Sequence, residues 1–185
     1  MVVQKRLGAR TYLTFQLGEE VFAADVSNVH KVLDFTPVTK IPGTPDFMRG
    51  IINLRGRAVP VVDLRLKFGM AETEQTLSTC IIVMNIGMGG GNAVIGALAD
   101  SVRDVFEFDP GEIEPPPRFG ATTKTDYIQG IGKREEQFVI ILDFNRIFST
   151  DDVVMLTTAG ELAPESEDEV SEEERGREEK CLDSL

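Results

Sequence analysis

The chain has 185 residues, of which 42% are hydrophobic, so it is long enough for one domain or two small ones with a core. Its 31 acidic and 19 basic residues give a net charge of −12, which argues against a nucleic-acid-binding protein, since such proteins neutralise phosphates with positive charge. The sequence has no secretory signal and no apolar run approaching the ~20 residues of a membrane span. We therefore expect a soluble, cytoplasmic protein without membrane insertion.

Few side chains are available for catalysis. The only histidine, His30, has no nucleophile or metal ligand close to it in sequence, and Cys80 and Cys181 are too far apart to form a metal or redox motif. The run GMGGGN lacks the Lys-Ser/Thr that follows the glycines of a phosphate loop. We therefore assign no catalytic, cofactor-binding or metal-binding residues and expect no cofactor.

Short apolar segments separated by turns run through most of the chain and predict an all-β protein. The first, residues 11–17, alternates between apolar and polar side chains, which is typical of a half-buried strand. Further strands are expected at residues 21–25, on both sides of the NLRG run at 53–56, and at 79–86, 93–99, 128–132 and 137–144. A short helix is possible at residues 143–149.

The sequence repeats itself. Residues 45–68 align without a gap over residues 125–148, and residues 28–35 align over 101–108. The alignment places Gly50 over Gly130, which indicates one β unit used twice in two similar small barrels.

The repeat suggests a division of the chain at its polar connector. We expect the ordered domain to occupy residues 11–150, with a first barrel at 11–69, a connector at 70–78 and a second barrel at 79–150. Units of about 70 residues are marginally stable alone, so the barrels should share an apolar seam. Residues 151–185 are expected to form a disordered acidic tail, a solvated segment or an electrostatic arm that influences docking.

The turn within NLRG raises the question of a site. Asn53 and Arg55 lie over Lys133 and Glu135 in the repeat, so a barrel of this kind turns the corner with other residues. These two residues are therefore expected to serve the seam or a partner. The alternative is that the Arg55 guanidinium ties the turn to neighbouring carbonyl groups.

Other candidate positions have structural explanations. The recurrence of Gly50 as Gly130 indicates a backbone requirement, through close approach or a positive φ angle. Asp63 and Asp143 are expected to cap turns or helices. Three valines are expected to be core residues rather than contacts: Val26, Val29 and Val32.

The motif G-x-x-N-L-R-G-x-x-x-P-V-x-D-L-R, with the segments around it, resembles the CheW family of bacterial chemotaxis coupling proteins over residues 11–151. The resemblance implies two five-stranded SH3-like barrels around a shared hydrophobic seam and no catalytic activity. It implies two partners, the cytoplasmic tip of a methyl-accepting chemoreceptor and the regulatory domain of a CheA-type histidine kinase. It also implies recruitment to receptor arrays at the inner face of the membrane.

The resemblance carries receptor coupling onto particular positions. In this sequence they are Val29, Lys31, Gly50 and Arg55, to which we add Asn53 from the same turn. Lys31 departs from the family, which often has an acid there. No residue is assigned to kinase contact. Two alternatives stay open: an adaptor of a chemosensory pathway with an output other than swimming, and a β-barrel protein that binds a small ligand.

Overall fold

The computed structural model describes residues 8–88, 91–117 and 125–161. The strands in these ranges are β1 Arg10–Leu17, β2 Glu20–Asp25, β3 Val29–Asp34, β4 Met48–Leu54, β5 Arg57–Asp63, β6 Cys80–Met88, β7 Gly91–Ala99, β8 Ser101–Phe108, β9 Ile113–Glu114, β10 Ile128–Arg134 and β11 Gln137–Leu142. The helices are α1 Leu64–Lys67, α2 Phe144–Ile147 and α3 Thr150–Glu161. None of these helices is long and apolar enough to cross a membrane.

The strands form two sheets with the same internal arrangement. The six-stranded sheet, barrel A, has the order β8-β1-β2-β11-β10-β9, and the five-stranded sheet, barrel B, has the order β3-β6-β7-β5-β4. Strand for strand, β8 corresponds to β3, β1 to β6, β2 to β7, β11 to β5 and β10 to β4. The parallel pairs are equivalent too, β11 with β2 and β5 with β7. The predicted all-β fold of two similar barrels is confirmed.

The predicted boundary at residues 70–78 does not separate the two barrels. Barrel A takes β1 and β2 from the first predicted half, and barrel B takes β6 and β7 from the second. The repeat unit begins at β3 and again at β8, and each unit is completed by a strand pair from the other half. The repeat alignment was therefore right, whereas the sequential division was wrong.

Apolar side chains form a core inside each barrel and a larger cluster between the barrels. The barrel A core contains Tyr12, Val21, Ala23, Phe108, Val139 and Ile141, and the barrel B core contains Ile52, Val59, Val61, Ile81, Val83 and Leu98. The cluster between them, here called the seam, includes Leu13, Phe15, Met84, Ile95 and Leu142. Strand β1 is therefore buried on both faces rather than half-buried as predicted, because its two faces line two different cores.

The two short helices begin at matched aspartates. The Asp63 carboxylate accepts hydrogen bonds from the Arg65 and Leu66 amides, and Asp143 accepts one from the Asn145 amide. Both aspartates therefore cap helices, as predicted. Asp63 is fully buried and also accepts from the amide and hydroxyl of Thr73, at 3.0 and 2.8 Å, so the cap fixes the connector as well.

Helix α3 corrects the prediction of a disordered tail from residue 151. It begins with a capping box in which Ser149 and Asp152 each accept the other's amide, at 3.2 and 2.9 Å. It packs on β5 and β7, and Leu156, 1% exposed, lies in the seam. The acidic residues of its first turn suit the positive end of a helix rather than a solvated tail. The rest of the predicted tail, residues 162–185, lies outside the described residues.

Asp152 links α3 to barrel B, and its carboxylate is expected to make the stability of the protein sensitive to acid. Burial alone would raise the pKa of its carboxyl, but hydrogen bonds from Lys67 and Ser149 outweigh burial and hold the pKa below the ordinary value of 3.8. A lowered folded pKa stabilises the protein fully above the ordinary value, and this stabilisation is lost as the pH falls through the folded pKa. The difference in unfolding free energy between the protein and Asp152→Asn should therefore shrink as the pH falls below the ordinary value of 3.8. A difference independent of pH in urea titrations would contradict this assignment.

Candidate functional site

The turn between β4 and β5 is a tight two-residue hairpin. Leu54 pairs with Arg57, and the two residues between them, Arg55 and Gly56, have φ angles of 51° and 82°. Positive φ at both positions is typical of a type I′ turn, whose twist matches that of the flanking strands. The Asn53 side chain accepts a hydrogen bond from the Gly56 amide at 2.8 Å. Asn53 therefore shapes the turn, a role that sequence reasoning did not assign to it.

This turn, residues 53–57, exposes two arginines and is called the cationic turn below. The side chain of neither Arg55 nor Arg57 makes a hydrogen bond or ion pair with another of the described residues. The Arg55 guanidinium therefore binds no carbonyl group of the described residues. The alternative prediction, in which it ties the turn to such groups, is not supported. Asn53 and Arg55 are both exposed, so neither is buried in the seam. Of the predicted roles for Arg55, contact with a partner stays as a prediction.

The equivalent turn of barrel A differs in its charges and, at its second residue, in its backbone. Arg134 pairs with Gln137, and Glu135, which corresponds to Arg55, has a φ angle of 56°. Glu136 follows it where barrel B has glycine. Since equivalent positive-φ positions carry an acid in one barrel and a base in the other, the fold does not dictate the charge of Arg55.

Gly50 is required by the closure of barrel B. Its φ angle is +137°, and a Cβ added there would collide with the carbonyl of Thr39. Thr39 approaches so closely because it exchanges two 2.9 Å backbone hydrogen bonds with Ile51 and so closes the barrel after β3. At Gly130 an added Cβ would lie 2.9 Å from the Glu114 carbonyl at the equivalent crossing. The predicted backbone requirement is confirmed for both glycines.

The first candidate residues lie on β3, an outer strand of barrel B. Val29 is half-buried against the seam, and a bulge between Val29 and Lys31 shifts the pairing of β3 with β6. Lys31 is half-buried and has no ion pair among the described residues. The core prediction was wrong for Val26 and Val32, which are 37% and 42% exposed. Val32 lies on β3, which has a partner strand on one side only, and Val26 lies in the turn before β3.

All five predicted coupling residues therefore belong to barrel B. Gly50, Asn53 and Arg55 share β4 and its turn, whereas Val29 and Lys31 lie on β3. The segment that follows β3 pairs with β4 through Thr39, so the two groups adjoin the same crossing of the chain.

Sequence reasoning missed the polar groups that hold the barrels together. The Arg65 guanidinium lies 3.1 Å from Asp100, whose carboxylate also accepts the Gly18 amide at 2.7 Å. In the other half, Asn145 occupies the place of Arg65 and accepts the Gly87 amide directly, also at 2.7 Å. These two contacts each join a short helix of one barrel to the other barrel, at the turn after β1 in one case and near the end of β6 in the other. The repeat aligns Arg65 with Asn145, but their different chemistry concealed the equivalence.

Two further basic side chains of barrel B form ion pairs. Arg49 forms ion pairs with the buried Asp63, at 3.6 Å, and with Glu72 in the connector. Lys67 binds Asp152 at 2.6 Å and lies 4.4 Å from the centre of the Phe47 ring. The cations near the seam are thus neutralised, in contrast to those of the cationic turn.

The described residues contain no group of three or more histidine, cysteine or acidic side chains placed to hold a metal ion. An open depression of about 500 Å³ lies on barrel A and is lined by Arg10, Thr11, Asp25, Val26 and Ser27.

Comparisons with known proteins agree with this arrangement. The family model described as the CheW-like domain matches residues 11–152. The chain is 34% identical over 145 residues to the chemotaxis protein CheW of Klebsiella aerogenes, covering 78% of this chain and 85% of that protein. It is 30% identical over 140 residues to the chemotaxis protein CheW of Bacillus subtilis, covering 75% and 86%.

A solved structure is similar as well. The scaffolding protein TtCheW of Thermoanaerobacter tengcongensis is 35% identical, with a TM-score of 0.68 over 77% of this chain and 94% of that one. The predicted resemblance is thereby confirmed in sequence and in fold. The chain belongs to the family of CheW-like domain proteins.

Proposed function

We propose that this CheW-family scaffold couples the cytoplasmic tips of methyl-accepting chemoreceptors to the regulatory domain of a CheA-type histidine kinase, without catalysis of its own. The observation that carries the proposal is Arg55, an exposed arginine on a rigid turn that no contact within the described residues explains. Relatives at 30–34% identity are named chemotaxis proteins, and the similar solved structure is named a scaffolding protein. The adaptor acts in the cytoplasm, at the inner face of the membrane that holds the receptors.

The proposed mechanism is geometric. A receptor helix pair lies in the groove beside the seam, in the manner of a helix in an apolar groove. A separate surface binds the kinase domain, and two interfaces of ordinary size bury about 1,600 Å² each. Linking two partners on one rigid body raises their effective concentration, so weak contacts become an ordered assembly.

The five coupling residues have different parts in this proposal. Arg55 is the contact residue, because its five donors in a planar fork can bind carboxylate or carbonyl groups of a partner. Asn53 and Gly50 hold the backbone that presents it. Val29 and Lys31 form the neighbouring edge on β3. Because Lys31 is positively charged, it favours a partner that has no cation opposite it.

The proposal is tested by calorimetric titration of the full chain with a receptor-tip fragment and, separately, with the kinase regulatory domain. We expect binding to both, with neither displacing the other. Binding to neither by a well-folded sample would overturn the proposal. Displacement of one partner by the other would overturn the bridging geometry.

Arg55→Ala should weaken receptor binding with little effect on stability. The side chain is exposed and unpartnered, so the free energy of unfolding should change by less than about 0.5 kcal/mol. Loss of a charged contact at an interface should raise the Kd for the receptor fragment roughly tenfold or more. Glu135→Ala is the matched control, since it alters the equivalent positive-φ residue of barrel A. Equal effects of the two substitutions on receptor affinity would remove Arg55 from the site.

A further inference from the structure

The charges of this chain are unevenly divided between the two barrels. Barrel B, formed by residues 29–99, carries seven bases and five acids, for a net charge of +2. The stretches of sequence that contain the barrel A strands, residues 10–28 and 100–148, carry seven bases and 13 acids, for a net charge of −6. Residues 162–185 carry ten acids and three bases, for a net charge of −7. An acidic segment is therefore repelled by one barrel and attracted by the other.

Within barrel B the cations fall into two groups. Arg49, Arg65 and Lys67 are ion-paired near the seam. The side chains of the remaining four make no ion pair or hydrogen bond with another described residue: Lys31, Lys40, Arg55 and Arg57. Two of those four stand on the cationic turn, whose backbone is fixed by Asn53. The turn thus presents two guanidinium groups on a preorganised support, which suits carboxylate binding.

From this distribution we propose that the acidic C-terminal segment of the chain, residues 162–185, docks on the cationic turn of its own barrel B.

The connection of the segment to the fold supports this occupant. Helix α3 packs on β5, and Arg57 is the first residue of β5. Strand β5 has seven residues and is about 23 Å long. The 13 residues from 162 to 174 span up to about 43 Å when extended, which exceeds the length of β5, so the tether is long enough to carry the last acids of this stretch along the strand.

Tethering compensates for the weakness of each ion pair. An exposed arginine–carboxylate pair contributes about 0.2–1 kcal/mol. A tethered segment acts at an effective concentration of the order of mM, so a few such pairs maintain a reversible contact. The contact is screened by salt, since the Debye length is about 10 Å at 0.1 M and 3 Å at 1 M. A reversible contact of this kind covers Arg55 and competes with a partner there, a consequence that rests on the proposed function.

The chain contains its own reporter position. Cys181 lies in the acidic segment, whereas Cys80 is 7% exposed and burial raises the pKa of its thiol. A thiol-reactive spin label on the full-length protein therefore attaches to Cys181 in preference to Cys80. In ¹⁵N NMR spectra at low salt, we expect paramagnetic broadening of the amides of the cationic turn and little broadening at residues 134–137.

Matched charge reversals test the docking. Arg57→Glu should abolish the broadening of the turn, whereas Lys133→Glu, the same charge change beside the equivalent turn of barrel A, should leave it intact. Raising the salt to 1 M should also abolish it. Equal broadening of both turns, or broadening that survives Arg57→Glu, would overturn the proposal. Since no receptor is present, this failure would leave the proposed function standing.

A second measurement tests the competition. A full-length variant with the seven acids at positions 165–174 replaced by their amides should bind the receptor fragment severalfold more tightly at low salt, with the difference lost at 1 M. Unchanged affinity in a protein that shows the docking by NMR would overturn the competition. Failure of both proteins to bind the fragment would instead overturn the proposed function.

Discussion

Leu156→Ala is expected to lower the free energy of unfolding by about 2–5 kcal/mol, one of the two largest effects of a single substitution considered for this protein. Leu156 is 1% exposed and is the fully buried side chain that α3 contributes to the seam. Its truncation leaves a cavity where side chains of both barrels meet, and surrounding strands cannot collapse freely into it. Urea unfolding followed by circular dichroism measures the loss, as a lower midpoint with an unchanged slope.

Val154→Ala is the matched control because it removes an aliphatic group from the same helix. Val154 is 61% exposed, so its truncation should change stability by less than about 0.5 kcal/mol. Deletion of residues 162–185 should likewise leave the unfolding midpoint almost unchanged, because α3 ends at Glu161. Equal losses for Leu156→Ala and Val154→Ala would show that α3 does not pack on the seam.

Helix α3 also shows why charge alone misled the sequence analysis. Asp151 and Asp152 look like the start of an acidic tail, yet both lie in the first turn of a helix, where acids interact favourably with its dipole. The capping box of Ser149 with Asp152 was readable in the sequence, as was the three-residue spacing of Val153 and Leu156. The helix is stabilised by burial of Leu156 in the seam, and the seam exists only in the folded protein.

The repeat correctly predicted which residues have equivalent roles in the two barrels. It did not predict which strands belong to which barrel. Gly50 and Gly130, and likewise Asp63 and Asp143, have equivalent roles because each repeat unit builds the same crossing and the same helix cap. Strands β1 and β6 are equivalent in the sheets but share no pattern that an alignment could detect. Which strand pair completes which barrel depends on pairings between residues distant in sequence, such as β1 with β8.

Site residues could be predicted from the sequence where the two copies of the repeat differ. Arg55 was found because its counterpart is Glu135, so a difference between otherwise equivalent turns indicated a role outside the fold. The contact of Arg65 with Asp100 follows no sequence spacing, and only the packing of the barrels brings those side chains together. The exposure of Val32 could not be read from its β-branched side chain, because it depends on β3 being an outer strand.

Gly50→Ala should destabilise the protein by about 2–5 kcal/mol, through overpacking and an unfavourable positive φ angle together. The added methyl group would collide with the Thr39 carbonyl, a backbone atom that cannot rotate away. Relief requires loss of the paired hydrogen bonds between Thr39 and Ile51, which close barrel B after β3. The expected result in urea unfolding is a marked fall in midpoint, with the amides of residues 38–52 exchanging faster in hydrogen-exchange measurements.

Gly43→Ala separates the two causes. Gly43 also has a positive φ angle, 78°, but a Cβ there meets nothing within 4 Å, so its substitution has the conformational cost without the collision. If Gly43→Ala destabilises the protein as much as Gly50→Ala does, close approach is not the reason for glycine at position 50.

Receptor affinity shows how Gly50 serves the site. If Gly50→Ala loses receptor affinity only in proportion to its folded fraction, Gly50 supports the site through barrel closure. A loss of affinity at full folding would make the Gly50 backbone itself part of the receptor contact, because the substitution would then act without disturbing the barrel that Arg55 stands on.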